Sequence, residues 1–236
     1  MRFTGLARVA VTAVMAGATA LAAPAAAQAA VPVGGGTPVL VGGVAGCTLT
    51  AAGYDASGAP VAFTAAHCSE RINAPVILRD DERAGVIGTV AARNEILDYS
   101  VIRLDPSVAV PVRQAGVTGT GPAPEFGDVV CKDGLTTGHT CGITWQREGA
   151  MFWSQACAGF GDSGGPMTSE GRLVGLLSGG EMPPLAGPVG SLGAILPSCL
   201  HPVQSPFFLP AVGYSFDAIV ADATERNWPG SGFRMA

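Results

Sequence analysis

The chain has 236 residues, 48% hydrophobic and only 13% charged, which is enough apolar material for a packed core and excludes a disordered chain. Its 13 Lys and Arg stand against 18 Asp and Glu, for a formal net charge of −5. Nothing in that balance offers a basic face to a nucleic acid.

At the front, Arg2 and Arg8 precede an apolar run over 9–22 and the small-residue stretch Ala23-Pro24-Ala25-Ala26-Ala27-Gln28-Ala29-Ala30. This reads as a secretory signal peptide over 1–29, cut near Ala29 or Ala30, because the run is short and alanine-rich for a bilayer span. No cysteine lies near the cut, and no later stretch is long enough to cross a membrane. The expectation is a secreted, extracellular protein, monomeric and without stable membrane association. Without Arg2 and Arg8 the 13 basic residues become 11 against 18 acidic ones.

Beyond the cut, 31–46 is rich in Gly, Val and Pro and reads as an extended mature N-terminus. Short runs of β-branched and aromatic residues follow at 47–52, 61–65, 76–79, 86–91 and 99–104, separated by a turn at 56–60 and a charged loop at 79–83. In 117–127 Gly, Pro and Thr dominate and the alternation stops, which makes it the boundary between an N-terminal unit, 30–117, and a C-terminal one, 118–236. The same pattern resumes at 128–131, 141–145, 150–154, 172–177 and 207–212. Only the end changes. There Ser215 can cap a helix in which Phe216, Ile219, Val220 and Ala223 recur at helical spacing, and Trp228-Pro229-Gly230 stops it. The pattern is all-β with one C-terminal helix.

The chemistry concentrates in Gly161-Asp162-Ser163-Gly164-Gly165-Pro166. A serine that attacks a carbonyl must sit on a tight turn with backbone N–H groups aimed at the oxygen that becomes negative, and glycines allow both. Ser163 is therefore read as a nucleophile. Its proton needs a base, and His67, in Thr64-Ala65-Ala66-His67-Cys68 at a strand end, is the candidate; His139 and His201 read as exposed loop residues. The imidazole in turn needs a buried acceptor. Asp98 is the acid most closely flanked by apolar sequence, whereas Asp80 and Asp81 belong to a solvated cluster and Asp105 precedes Pro106. All six cysteines, Cys47, Cys68, Cys131, Cys141, Cys157 and Cys199, lie beyond the signal peptide, so three disulfides are expected. Counting does not choose among the pairings. A zinc site from Cys131, His139 and Cys141 competes, against the oxidising compartment and the lack of a C-x-x-C pair.

These segments, in the order His67, Asp98, Ser163, resemble the chymotrypsin-like serine peptidases, over roughly 47–216. The likeness is closest to the secreted actinobacterial streptogrisin and α-lytic branch. It is carried by Val130-Cys131-Lys132-Asp133-Gly134 with Thr136-Thr137-Gly138, by Cys157-Ala158 before Gly161-Asp162-Ser163, by Ser178-Gly179-Gly180, and by Phe207-Phe208 before Pro210. The resemblance implies two six-stranded antiparallel β-barrels with the site between them. It implies His67 and Asp98 from the first barrel, Ser163 from the second, and an oxyanion hole from the N–H groups of Gly161 and Ser163. It also implies sequential disulfides, Cys47 to Cys68, Cys131 to Cys141 and Cys157 to Cys199. Ser178, Gly179 and Gly180 would pair with a peptide substrate as an added strand. The reaction would be peptide-bond hydrolysis through an acyl-enzyme, needing no metal and no organic cofactor.

Some positions depart from the family. No Arg or Lys lies between Arg8 and Arg71 to mark an activating cut, so a Lys132 to Asp162 pair is expected to stand in for the freshly cut N-terminus of the animal enzymes. About seventeen residues separate the cleavage point from Cys47, too few for a folded pro-region, so little zymogen control is expected. Gln155 stands where trypsin-like members carry an aspartate, Leu177 where glutamate-selecting ones carry a histidine, and Gly159-Phe160 where relatives have Glu-Pro. With an insertion at 181–198, this points to medium or large apolar side chains at the cleaved position. A catalytically silent binding module on the same fold is the alternative, and a narrow-specificity esterase or peptidase is another.

Overall fold

A computed structural model describes Met1 and residues 29–43, 45–180, 199 and 207–236 of the chain. Nearly all of the expected signal peptide, His201 and the insertion at 181–198 lie outside the described residues. The first nine strands are β1 (Val31–Val33), β2 (Pro38–Val41), β3 (Ala45–Thr48), β4 (Ala51–Tyr54), β5 (Pro60–Ala65), β6 (Pro75–Leu78), β7 (Val86–Asn94), β8 (Tyr99–Leu104) and β9 (Ala109–Pro111). Then come β10 (Gly119–Thr120), β11 (Val129–Lys132), β12 (Thr140–Glu148), β13 (Met151–Ser154), β14 (Pro166–Ser169), β15 (Arg172–Gly180), β16 (Ala211–Ser215), helix α1 (Phe216–Glu225) and β17 (Arg234–Met235).

The strands form two large sheets and one two-stranded sheet. In the second, the order β10-β15-β14-β11-β12-β13-β16, with β15 also paired to β16, closes a six-stranded barrel from β11 to β16. The first runs β17-β4-β5-β8-β7-β6-β2-β3 and, among the described residues, curls without closing, while β1 pairs in parallel with β9 beside it. The fold class is therefore the expected all-β one, with one curled sheet in place of a second closed barrel.

Burial on both faces marks the central strands of the first sheet. β5 buries Val61, Ala62 and Phe63, β8 buries Tyr99, Val101, Ile102 and Leu104, and β7 buries Ile87 and Val90 against them. In the second sheet Val130, Phe152, Met167 and Leu177 fill the barrel. Helix α1 lies against β15 and β16 of the second sheet and reaches the first through an aromatic side chain. Its Phe216 meets Phe63 edge-on at 5.2 Å between ring centres, and Phe233 closes the cluster at 5.0 Å from Phe63.

Local differences from the expected elements have physical causes. The run 47–52 is two strands, because β3 pairs with β2 and β4 pairs with β5, so the chain changes partner at Leu49 and Thr50. The strand expected at 207–212 begins instead at Ala211 and runs to Ser215, in register with β13 and β15. Ser215 does precede the helix, but its hydroxyl makes no capping bond; it is the buried last residue of β16, paired with Gly175.

Candidate active site

His67 lies in a single turn, 66–68, at the end of β5. Two fastenings hold that turn: the Cys47–Cys68 disulfide ties it to β3, and the Arg93 guanidinium donates to Ala66 O and Glu70 O, each at 3.1 Å. Asp98 ends the β7–β8 turn. Asn94 shapes that turn by accepting the N–H groups of Ile96 at 2.9 Å and Leu97 at 3.1 Å. Asp98 itself takes a φ of +44°, a left-handed conformation that Asp tolerates better than most residues.

The result is a carboxylate aimed at the imidazole. Asp98 Oδ2 lies 2.8 Å from His67 Nδ1, and Asp98 Oδ1 accepts the His67 backbone N–H at 3.0 Å. Ser178 Oγ donates to Asp98 Oδ2 at 2.6 Å. The side chain of Asp98 is only 12% exposed while that of His67 is 49% exposed, so the pair has one buried and one open end.

Ser163 sits in the turn between β13 and β14, with Gly161 at φ +97° and Gly164 at φ +83°. The turn rests on the first sheet. Thr48 N–H donates to Ser163 O at 2.8 Å and Thr48 Oγ1 to Gly161 O at 3.0 Å. Ser163 Oγ donates to Ser178 O at 3.2 Å and makes no bond to His67 among the described residues. The N–H groups of Gly161 and Ser163 likewise meet no protein acceptor among them.

Ser178 owes its position to a shift in strand register. Between Leu177 and Gly179 the pairing of β15 with β16 slips by one residue, and such bulges re-aim side chains. The cleft in front of Ser163, about 440 Å³, is lined by His67, Phe160, Gly161, Ser178, Gly179 and Gly180 among others. Phe160 stands 87% exposed at its rim. Gln155 does not line this cleft; its amide donates to Phe208 O at 3.4 Å.

Lys132 and Asp162 are fully buried and paired, Nζ to Oδ2, at 3.0 Å. The ammonium uses its donors on Thr137 Oγ1, Gly138 O at 2.8 Å and Asp162. Asp162 accepts four more bonds, from Thr136 N, Thr137 N, Thr137 Oγ1 and Gly159 N, at 2.6–3.1 Å. Burial alone would raise this carboxyl. The Thr137 hydroxyl, the Gly159 N–H, the Lys132 charge and the Thr136 N–H outweigh it and hold the group below its ordinary range. Burial pulls Lys132 down, and Asp162 partly restores it.

The disulfides join Cys47 to Cys68, Cys131 to Cys141 and Cys157 to Cys199. Cys131, His139 and Cys141 do lie together, but the two sulfurs are bonded to each other, which removes the zinc reading. Sequence reasoning missed Thr48, Arg93 and Asn94. Thr48 and Arg93 are polar residues in no motif, and only the fold reveals their partners, whereas Asn94 makes a local turn that an Asn before a strand break could have signalled.

No protein-family model matches the chain. An uncharacterized protein of Mycobacterium tuberculosis is 32% identical over 137 residues, covering 51% of this chain and 60% of that protein, so the chain spans less than two thirds of this relative. Serine protease 2 of Streptomyces fradiae is 29% identical over 168 residues, 63% of this chain and 95% of that one. Among solved structures, protease A of Thermobifida fusca matches with a TM-score of 0.58 at 20% identity, covering 87% of this chain and 100% of its own. No helix among the described residues is long and apolar enough to cross a membrane. The fold is that of the chymotrypsin-like serine proteases, and the neighbours that share it are actinobacterial, as the resemblance to the streptogrisin-like branch implies.

Proposed function

We propose that the chain is a secreted serine endopeptidase that hydrolyses peptide bonds through an acyl-enzyme, with Ser163 as nucleophile, His67 as base and then acid, and Asp98 orienting the imidazole. The observation that carries this reading is the Asp98 carboxylate, which accepts from the backbone of His67 and from Ser178 and lies against His67 Nδ1, all within 3.0 Å. A carboxylate at Nδ1 fixes the proton there and leaves Nε2 free to take one.

Substrate binding would complete the arrangement. An extended peptide adds as a strand beside Ser178, Gly179 and Gly180, and its backbone N–H takes the Ser178 carbonyl that now holds the Ser163 hydroxyl. The hydroxyl is released to His67. Oγ then attacks the carbonyl carbon, Nε2 takes the proton, and the negative oxygen meets the N–H groups of Gly161 and Ser163. Collapse expels the amine, which receives the proton from His67, and water repeats the cycle on the ester.

In this reading residues 1–29 are the signal peptide, 30–117 and 118–236 are the two units flanking the cleft, and the three disulfides fit an extracellular monomer. Lys132 replaces the activating N-terminus by holding Asp162, so secretion alone suffices for activity. N-terminal sequencing of the active secreted form should give a start near Ala30 or Val31; a start well beyond Cys47 would contradict it. Among the described residues the lining of the cleft carries no Asp, Glu, Lys or Arg, which favours apolar side chains at the cleaved position. A peptide library should be cut after such residues, and cleavage chiefly after Arg or Lys overturns the preference.

The second reading is a silent binding module or a narrow esterase on the same fold, and the hydroxyl turned to Ser178 rather than His67 favours it. Hydrolysis of a denatured protein separates the two. Ser163→Ala and His67→Ala should each lower kcat by about 10⁴-fold or more. In the parent, kcat/KM should rise with pH as the base loses its proton, and a flat profile across neutrality contradicts His67 in that role.

A further inference from the structure

The three disulfides do not share one environment. Cys47, Cys68, Cys157 and Cys199 are at most 4% exposed, whereas Cys141 is exposed and Cys131 half-buried. Cys131 and Cys141 face each other directly across β11 and β12. Two residues before Cys141, the exposed His139 places Nε2 3.6 Å from the Cys141 sulfur and Nδ1 2.8 Å from Asp133 Oδ1. The other oxygen of Asp133 accepts from the Gln114 amide at 2.6 Å, so the carboxylate is fixed from behind. With Nδ1–H donated to Asp133, the Nε2 edge of the ring points at sulfur.

A second observation concerns access. A cavity of about 530 Å³, separate from the Ser163 cleft, is lined by Cys131 and His139 but not by Cys141. Its wall also carries Asp128, Glu170 and Arg172, hence both signs of charge. That volume falls in the range of small-molecule sites.

We propose that this is a thiol–disulfide exchange site for a low-molecular-weight amino-acid thiol, with Cys131 as the attacked sulfur and Cys141 as the leaving one. The incoming thiol gives its proton through solvent to the exposed His139 Nε2, and its sulfur attacks Cys131 Sγ in line with the breaking bond. The Cys131–Cys141 bond breaks as the new sulfur–sulfur bond forms, and Cys141 departs as a thiolate beside the imidazolium that Asp133 orients. No oxidant is consumed: one disulfide replaces another, and the proton ends on the His139–Cys141 pair. A thiolate next to a cation is a better leaving group, which speeds exchange at this bridge. Arg172 suits the carboxylate of such a thiol, and Glu170 or Asp128 its ammonium. The site is independent of the proposed peptidase chemistry.

The test uses the full oxidised chain, incubated with reduced glutathione for a series of times, quenched with N-ethylmaleimide and mapped by mass spectrometry. The expected product carries glutathione on Cys131 and maleimide on Cys141, with the other two bridges intact. His139→Ala, on an exposed residue, should slow its formation about tenfold. Arg172→Ala should slow glutathione while leaving the uncharged 2-mercaptoethanol unaffected. Glutathione on Cys141, equal labelling of the buried bridges, or an unchanged rate in His139→Ala would each overturn the proposal and leave His139 and Asp133 as a surface ion pair only.

Discussion

At Gly164 a Cβ would lie 2.2 Å from Thr64 Oγ1 and 2.3 Å from Thr48 O, and the residue's φ of +83° is one that side chains rarely adopt. Both neighbours belong to the first sheet, so the backbone at Gly164 is pressed against it and cannot retreat. Gly164→Ala should therefore cost activity and stability together; a thermal midpoint and rate like the parent's would contradict the close approach. Lys132 makes the opposite point, since it matters for charge rather than space. Lys132→Met leaves Asp162 ionised and buried without its cation, a loss typically about 3–5 kcal/mol for broken buried pairs. Denaturant unfolding should show it, and the turn at Ser163 should lose activity with it. Full activity and stability in Lys132→Met would sink the role given to the pair.

Asp162 also sets a pH dependence. Its carboxyl is held below the ordinary value, so it binds fewer protons folded than unfolded. Its stabilisation is complete above the unfolded pKa of ~4 and fades as pH falls toward the lower folded value. Stability measured from pH ~5 down to ~2, which brackets that range, should drop in the parent and less steeply in Asp162→Asn. Equal slopes would assign the acid transition to other carboxyls.

Among the elements, α1 shows how the C-terminal part of the chain is joined to the site. Asp222 accepts from Tyr99 Oη at 2.6 Å, Asn94 Nδ2 at 2.7 Å and Arg226 Nε at 2.9 Å, so the helix grips both sides of the turn that carries Asp98. Those partners outweigh the effect of burial and keep the Asp222 carboxyl low, while burial and Asp222 drive the Tyr99 hydroxyl upward. Truncating Phe216, wedged between Phe63 and Phe233, should cost about 3–5 kcal/mol. If Phe216→Ala unfolds like the parent, the helix is an appendage and not part of the core. The spacing of Phe216, Ile219 and Ala223 was enough to find this helix, since all three are buried. What it packs against was not legible, because helical periodicity gives a face and not its partner. Strand ends are illegible for the same reason: Leu49 and Thr50 mark a change of partner, not a break in apolar pattern.

At the scale of the whole molecule, the cleft is assembled from both sheets. His67 and Asp98 come from the first, Ser163 and Ser178 from the second, and Thr48 and Thr50 lash the Ser163 turn across, Thr50 Oγ1 reaching Gly164 O at 2.5 Å. The residues that announce themselves in sequence are those whose chemistry demands a local setting, such as the glycines around Ser163 or the cysteine beside His67. Thr48, Arg93 and Asp222 lack such a setting. Their function is to bond something more than twenty residues away, and no short pattern encodes that.

The central claim is that Ser163 is an activated nucleophile, and intact-mass analysis of the folded, disulfide-paired chain after exposure to a fluorophosphonate tests it most directly. A single adduct on the parent, absent from Ser163→Ala, is the result this account predicts. No adduct on a chain that is folded with all three bridges formed would contradict it, and would leave a binding protein on a protease fold.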